Sequence, residues 1–390
     1  MKAHKFRLYP SRAIEQKMLS TLEVCRQAYN VFLGELNEQD VIDKALIQGI
    51  IPDMKICDAR FKTIHSKTLQ YEVYKLFSNL SGLAKTKGKR KVGALRFKGK
   101  GWFKTFTYNQ SGFALTDTGK RCQSLWLSKI GDIPIRCHRE VKGNVKQITV
   151  KHEQSGRWYA HIITDEKREI PQRKIVKVVG IDVGLTDIVY DSDGNSVSNP
   201  RHLRRYSEML TLRQRNLSSS KKGSKNRMRR RIKVARLHEK ITDTRNDFLH
   251  KLSHYYVTNY DAIGMEDMPM SLEDDCYAKS KSDVSWGRLR QFIAYKAANA
   301  GKLFVPVNYK GTTQRCSQCG TYVWKDITMR QHSCPQCGFV APRDYNSALE
   351  IKRLTLRKIG LERPKSTPVE MAEVVPSWKQ EASSSTLGIA

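Results

Sequence analysis

The chain has 390 residues, 39% of them hydrophobic, and carries 70 Lys and Arg against 38 Asp and Glu, a formal charge of +32. That length allows two or three domains, and the apolar fraction suits folded domains rather than a disordered chain. No run approaches the ~20 apolar residues of a membrane span, and residues 1–10 lack a signal-peptide core. No membrane partner is therefore expected, and a reducing, cytoplasmic, nucleoid-associated location in a prokaryotic-type cell is. So large a positive charge calls for a polyanion, and nucleic acid is the obvious one.

Residues 2–9 read as a strand stopped by Pro10. Ile14, Met18, Leu22, Cys25, Tyr29, Phe32, Leu33 and Leu36 then recur at three- and four-residue steps, predicting a long helix with Ser11 as its N-cap. A second helix is expected over 65–85, with Leu69, Val73, Leu76, Phe77, Leu80 and Leu83 on one side. It runs into the basic stretch Lys85, Lys87, Lys89, Arg90 and Lys91. Residues 94–165 are rich in β-formers and turn residues, with a hairpin pairing 147–152 and 158–164. Together they predict a β-barrel-like module (1–10 and 92–170) interrupted by a helical insertion (11–91). Trp102, Phe103, Phe106 and Tyr108, interleaved with Lys98, Lys100 and Lys104, suit base stacking or the barrel core equally.

A polar linker at 171–174 leads to a nearly all-apolar strand, 175–183, of the kind buried on both faces. A second strand at 187–190 and a turn at Asp193-Gly194 follow. Residues 202–258 are helical, with a basic hinge at 221–231. Its Lys221, Lys222, Lys225, Arg227, Arg229, Arg230 and Arg231 suit a channel for a nucleic-acid backbone, against the plainer reading of a solvated hinge. Then come a strand (262–265), a helix (285–299), a strand (303–307), a cysteine module (316–337) and a helix (346–359). Residues 361–390, rich in Ser, Glu and Pro, read as a disordered tail.

Three acids stand at element ends. Asp182 lies in the apolar strand, Glu266 follows Ile263-Gly264-Met265, and Asp344 opens the last helix. A carboxylate in a buried strand is costly unless it is paired or binds metal. Shared carboxylates suit Mg²⁺ or Mn²⁺, and two such ions promote phosphodiester hydrolysis. Gly180 and Gly184 would let backbone and substrate approach closely. Taken singly, each acid has an ordinary explanation as a cap, turn residue or ion-pair partner. The nearby Asp187, Asp191, Asp193, Asp261 and Asp267 are set aside because turn or exposed positions account for them.

Of nine cysteines, Cys25, Cys57, Cys122, Cys137 and Cys276 follow no pattern and read as small buried hydrophobes. Cys316-Ser-Gln-Cys319 and Cys334-Pro-Gln-Cys337 are two knuckles, each followed by glycine. Four thiolates at this spacing make one closed, structural zinc site. His332 reads as a surface or nucleic-acid contact rather than a fifth ligand.

The order of these features, with Lys-Phe-Arg-Leu-Tyr-Pro at the start, Leu95-Arg96-Phe97-Lys98 and the Asp-Tyr-Asn-Ser-Ala of residues 344–348, resembles the TnpB family over nearly the whole chain. Those proteins are transposon-encoded relatives of type V CRISPR effectors. The resemblance implies an α/β multidomain chain with a split, RNase H-like RuvC nuclease domain (171–311 and 341–360). It also implies an inserted zinc ribbon (312–340) and a wedge-like N-terminal barrel. Asp182, Glu266 and Asp344 match the catalytic acids, and Cys316, Cys319, Cys334 and Cys337 the zinc ligands. The implied partners are a guide RNA and double-stranded target DNA with a short adjacent motif, for which Lys67 and Gln70 are candidate readers. A monomer is expected. An RNA-guided binding protein that regulates transposition without cutting, and a transposase proper, remain alternatives.

Overall fold

The computed structural model describes residues 1–38, 42–87, 94–117, 122–166, 174–267, 284–326 and 328–361. The chain divides into two compact units, Met1–Lys167 and Arg168–Ala390. The expected tail lies outside the described residues apart from Leu361, as do Lys89, Arg90, Lys91, Cys276 and most of the expected linker.

In the first unit, β1 (Lys2–Leu8) leads to α1 (Arg12–Glu38), α2 (Lys44–Gly49), α3 (Ile51–Cys57) and α4 (Ser66–Lys87). Strands β2 (Thr105–Asn109), β3 (Phe113–Thr116), β4 (Gln123–Leu127), β5 (Gly131–Arg136), β6 (Val145–His152) and β7 (Trp158–Thr164) follow. They join β1 in one antiparallel sheet of order β2-β6-β7-β1-β5-β4-β3. Alternate residues point to one face, so Phe6, Leu8, Ile133, Ile135, Ile148, Val150, Ala160 and Ile162 share a core with α1 and α4. The predicted stripe of α1 is that helix's buried face from Met18 to Leu36. Phe106 and Tyr108 are core residues, which removes them from base stacking, whereas Trp102 is exposed. Cys25 is buried as expected, but Cys57 is exposed and Cys122 and Cys137 are intermediate.

The second unit is built on a five-stranded sheet. Its strands are β8 (Val178–Asp182), β9 (Asp187–Asp191), β10 (Ser196–Ser198), β11 (Ala262–Glu266) and β12 (Leu303–Val307), in the order β10-β9-β8-β11-β12. β8, β11 and β12 run parallel, β9 pairs antiparallel with β8, and β10 pairs antiparallel with β9. Helices α5 (His202–Arg205), α6 (Ser207–Ser218) and α7 (Lys225–Asn259) lie between β9–β10 and β11 in sequence. Helix α8 (Trp286–Asn299) precedes β12, and α9 (Arg343–Lys358) closes the unit.

Three expectations about the second unit change. β8 starts at Val178 rather than 175, because the Val176 and Lys177 N–H groups donate to the Asp261 carboxylate at 3.1 and 3.0 Å instead of joining a ladder. Only part of the expected 221–231 hinge is a turn, since Ser224 caps α7 by accepting the Arg227 N–H at 3.1 Å. The last helix begins at Arg343, three residues early, which puts Asp344 in its first turn.

The parallel strands show how the sheet is sandwiched. Val179 and Ile181 of β8, with Ile263 and Met265 of β11, pack with Leu249, Leu252 and Tyr256 of α7 and Leu289 and Ile293 of α8. The alternate positions, Gly180 and Gly264, face α9. A Cβ at Gly180 would overlap the Ala348 carbonyl oxygen and the Lys352 nitrogen, and one at Gly264 would overlap the Thr355 hydroxyl. The two glycines are aligned partners in adjacent strands, so they form one shallow seat for the helix. Gly180 therefore serves helix packing rather than substrate approach.

This seat predicts an asymmetry. Gly264→Ala is expected to destabilise by about 1–3 kcal/mol through overpacking, read as a lower midpoint in denaturant. Adding Thr355→Ala should recover part of that loss. No side-chain change should rescue Gly180→Ala, because its clash is with backbone.

Candidate metal centre

The glycine seat fixes where two of the acids stand. β8 and β11 are parallel and in register, with Gly180 opposite Gly264 and Ile181 opposite Met265. One residue further on, Asp182 and Glu266 end their strands side by side, ~4.8 Å being the usual spacing between strands. With side chains alternating, both carboxylates share the glycine face, against which α9 packs and from which it brings Asp344. Asp182 and Glu266 are buried. Desolvation, then the charges of Glu266 and Asp344, hold the Asp182 carboxyl well above its ordinary 3.8. Desolvation likewise raises Glu266, partly opposed by its hydrogen bond from Thr312. Buried carboxyls held protonated by desolvation, with neighbouring negative charge adding to it at Asp182, are what a divalent cation would relieve, and their oxygens are the hard donors Mg²⁺ takes.

Residues beyond the predicted triad hold it in place. The Thr312 hydroxyl donates to Glu266 Oε1 and also to the Tyr309 carbonyl at 2.9 Å. Arg343 Nε donates to Asp344 Oδ1 at 3.0 Å. Asn346, fully buried on α9, accepts the Ser317 N–H at 3.0 Å and donates to the Arg315 carbonyl at 2.8 Å. The cysteine module is thus bonded to the acids' supports at its root and along α9. Sequence reading missed Thr312 and the role of Asn346. The position of Asn346 two residues after Asp344 was the available signal, whereas Thr312 carries none.

The four cysteines converge, with Sγ–Sγ distances of 3.6 Å for Cys316–Cys337 and 3.5 Å for Cys319–Cys334. These are far too long for disulfides and near the ~3.8 Å edge of a tetrahedron with 2.3 Å Zn–S bonds. Among the described residues, this is the set of three or more such ligand atoms that closes to within 4.8 Å. The three carboxylates are set more widely. Cys319 is pulled down to about 6 by its hydrogen bond with Thr321, while desolvation pushes Cys316 and Cys337 up. A bound cation would let all four be thiolates, and their number leaves no open position.

His332 corrects an expectation. It is fully buried rather than a surface contact, and burial, then Lys325, lowers it to about 4.

The competing acids have structural duties. Asp191 is buried, not exposed, and accepts from the Asp193 and Asn195 N–H groups and the Tyr256 hydroxyl. Asp193 accepts from the Tyr260 hydroxyl at 2.7 Å, and Asp267 pairs with Arg290. Asp187 accepts from the Ser198 hydroxyl at 3.1 Å.

The predicted basic contacts are divided between the two units. Lys67 and Gln70 lie half-buried on α4, and Lys98, Lys100 and Lys104 lie in the loop before β2, all in the first unit. Lys98 is clamped through its backbone by Asn30 and Arg26, and its ammonium lies 5.7 Å from the Trp102 ring. In the second unit, Arg227 donates to the Leu217 and Ser220 carbonyls, and Arg230 to that of Asn216. These two tie α7 to the end of α6, while Lys221, Lys222, Lys225, Arg229 and Arg231 are exposed.

Residues 147–271 match the family profile described as "Probable transposase" (OrfB of IS605), and 286–351 the one described as "Cas12f1-like, TNB domain". Residues 1–39 match a "Helix-turn-helix domain", although here that stretch is β1 and the single helix α1. A Streptomyces pristinaespiralis protein, provisionally named an RNA-guided DNA endonuclease, is 36% identical over 208 residues, 52% of this chain and 51% of its own. InsQ of Escherichia coli K12, named likewise, is 28% identical over 376 residues, 90% of this chain and 91% of its own. The chain thus spans about half the length of the first and most of the second. The cryo-EM structure of a Cas12f1–sgRNA–target DNA complex superposes with a TM-score of 0.60 at 15% identity, covering 88% of this chain and 83% of that one. At that identity the likeness is one of fold, and this chain has the mixed α/β fold of compact Cas12-type effectors. The three profile matches and the named relatives support a TnpB-family protein.

Cys334→Ser is expected to remove the single bound zinc and lower the thermal midpoint, as metal analysis and calorimetry will read. Asn346→Ala should keep its zinc yet lose about 1–3 kcal/mol, because it strands two backbone groups at a buried site.

Proposed function

We propose that this chain is a transposon-encoded, RNA-guided DNA endonuclease that cuts target DNA beside a short motif, with a RuvC-type centre made of Asp182, Glu266 and Asp344. The observation that carries the reading is the register of β8 and β11, which sets Asp182 beside Glu266 on the face that receives Asp344. The names of the relatives, and the sgRNA and target DNA in the complex formed by the fold neighbour, support the RNA-guided part. On this reading, 171–311 and 341–360 form the RNase H-like nuclease domain. Residues 312–340 form the zinc ribbon, and 1–10 with 92–170 form a wedge-like barrel around the helical insertion 11–91.

Asp182 and Glu266 would hold two Mg²⁺ or Mn²⁺ ions, with Asp344 completing the set. Such ions activate water and steady the leaving oxygen of a phosphodiester. The chain's own part is positional. Thr312 orients Glu266, Arg343 orients Asp344, and burial keeps bulk water from competing for the carboxylates. The positive surface would hold an RNA–DNA heteroduplex through its backbone while base pairing supplies sequence. Among the described residues no helix is long and apolar enough to cross a membrane.

The test is cleavage by protein loaded with the RNA that co-purifies with it. Asp182→Ala is expected to abolish cutting in Mg²⁺ while leaving guide and target binding in place. Intact cutting by that variant would refute the site. Products joined to donor ends would favour a transposase proper, the reading suggested by the name of one matching profile. Binding without product under any divalent metal would favour a regulator.

A second expectation concerns pH. In metal-free protein a carboxyl raised above its unfolded value favours the fold while protonated, and that contribution is lost as pH rises through its folded value. Asp182 and Glu266 are both raised, from 3.8 and 4.5 respectively. Stability from this pair should therefore fall as pH rises above that range. Mg²⁺ should raise the thermal midpoint more at about pH 7.5 than at about pH 5, and Asp182→Asn should flatten the difference.

A further inference from the structure

The second unit has a cleft at the opposite end of its sheet from the acids. Its volume is about 540 Å³, within the usual range of a small-molecule site. Val178 opens β8 and lies in the cleft wall, whereas Asp182 ends the same strand, roughly 13 Å further on at ~3.3 Å per residue. The wall is held from behind. The Val176 and Lys177 N–H groups rest on the Asp261 carboxylate at 3.1 and 3.0 Å. The Tyr260 N–H donates to the Tyr256 carbonyl at 3.1 Å, and the Tyr260 hydroxyl to Asp193 Oδ2 at 2.7 Å. Tyr255, on the last turns of α7, adds a half-buried ring.

The lining selects the chemistry of a ligand. Lys177 and Lys352 supply two ammonium groups, and Asp193 is the one carboxylate. Lys352 reaches Asp193 Oδ1 only at 3.4 Å, with both side chains partly in water, so an anion can draw it away at little cost. Asn259 donates its amide to the Tyr255 carbonyl at 2.9 Å, which leaves its Oδ1 as an acceptor for a ligand N–H. Val176, Val178 and Leu356 are apolar wall. An inorganic anion has no body to set against that wall and the Tyr255 ring. A simple organic acid has the body but no donors for Asn259 and Asp193. A nucleoside monophosphate with an exocyclic amino group satisfies all of them, since a carboxylate commonly receives ribose hydroxyls.

We propose that this cleft binds a free mononucleotide of the adenosine 5′-monophosphate type. Its phosphate lies on Lys177 and Lys352, its ribose on Asp193, and its base against Tyr255 and Leu356 with the amino group on Asn259. Such a ligand spans the start of β8 and α9 at Lys352, whose backbone nitrogen rests on Gly180. Occupancy therefore clamps together the two elements that carry Asp182 and Asp344. The binding itself does not rest on the nuclease reading.

The test is titration calorimetry of adenosine 5′-monophosphate into full-length, zinc-loaded protein freed of co-purifying nucleic acid. A chain of charge +32 adsorbs phosphates generally, so the variants carry the argument. One equivalent is expected to bind saturably and to raise the thermal midpoint. Lys177→Gln, at an exposed position, should weaken binding about tenfold. Lys174→Gln loses the same charge from an exposed neighbour outside the cleft and should stay within about twofold. Inosine 5′-monophosphate, which has a carbonyl in place of the amino group, should bind more weakly. Absence of saturable binding up to about 1 mM, equal weakening by the two lysine variants, or displacement by an equal concentration of inorganic phosphate would overturn the site. If guide-loaded protein cuts DNA and no nucleotide binds, this inference alone falls. If the nucleotide binds as expected and guide-loaded protein does not cut, the cleft stands and the nuclease reading falls.

Discussion

The second unit depends on how closely α9 can approach its sheet. A helix packed on ordinary side chains stands well off the strands, and an aspartate in its first turn would then be held away from acids at the strand ends. Gly180 and Gly264 remove two aligned side chains, so the backbone of α9 at Ala348 and Lys352 and the Thr355 hydroxyl rest directly on the sheet. The same alternation that turns the glycines toward α9 turns Asp182 and Glu266 that way two residues later. Packing and site are therefore one arrangement, and a change that lifts the helix separates the acids.

The ribbon extends that arrangement. Its first residues reach Glu266 through Thr312, its knuckle backbone is gripped by Asn346, and its last residues, the short strand Val340–Pro342, run into α9. Zinc held by the four cysteines would fold a module too small for a core of its own, so that α9 would begin at a defined place and angle. A metal with no open position can in this way influence a site it does not touch.

Much of this was legible beforehand because apolar periodicity and cysteine spacing report local physics. The α1 stripe, the 145–164 hairpin and the apolar strands around Asp182 and Glu266 each follow from side-chain alternation. What stayed hidden was pairing between distant segments. No local pattern says that Gly264 lies opposite Gly180, or that Thr312 bonds Glu266. Exposure is hard to read where composition alone speaks. His332 is basic by type yet buried, Asp191 serves the turn expected of it but is also sealed by Tyr256 and Asn195, and of the two readings open for Phe106 and Tyr108 the core is the one that holds. In each case a tertiary neighbour decided the matter.

The bonds of Arg227 and Arg230 to the end of α6 bear on how this arm would meet a polyanion. A guanidinium already aimed at backbone carbonyls keeps its charge but has fewer directed donors left for a phosphate. Such residues act as a diffuse field, felt over about a Debye length and screened by salt. The exposed lysines beside them are point charges on long, rotatable stems. An arm of this make would attract a strand without fixing its register, and a strand held there would slip along it by a nucleotide at little cost.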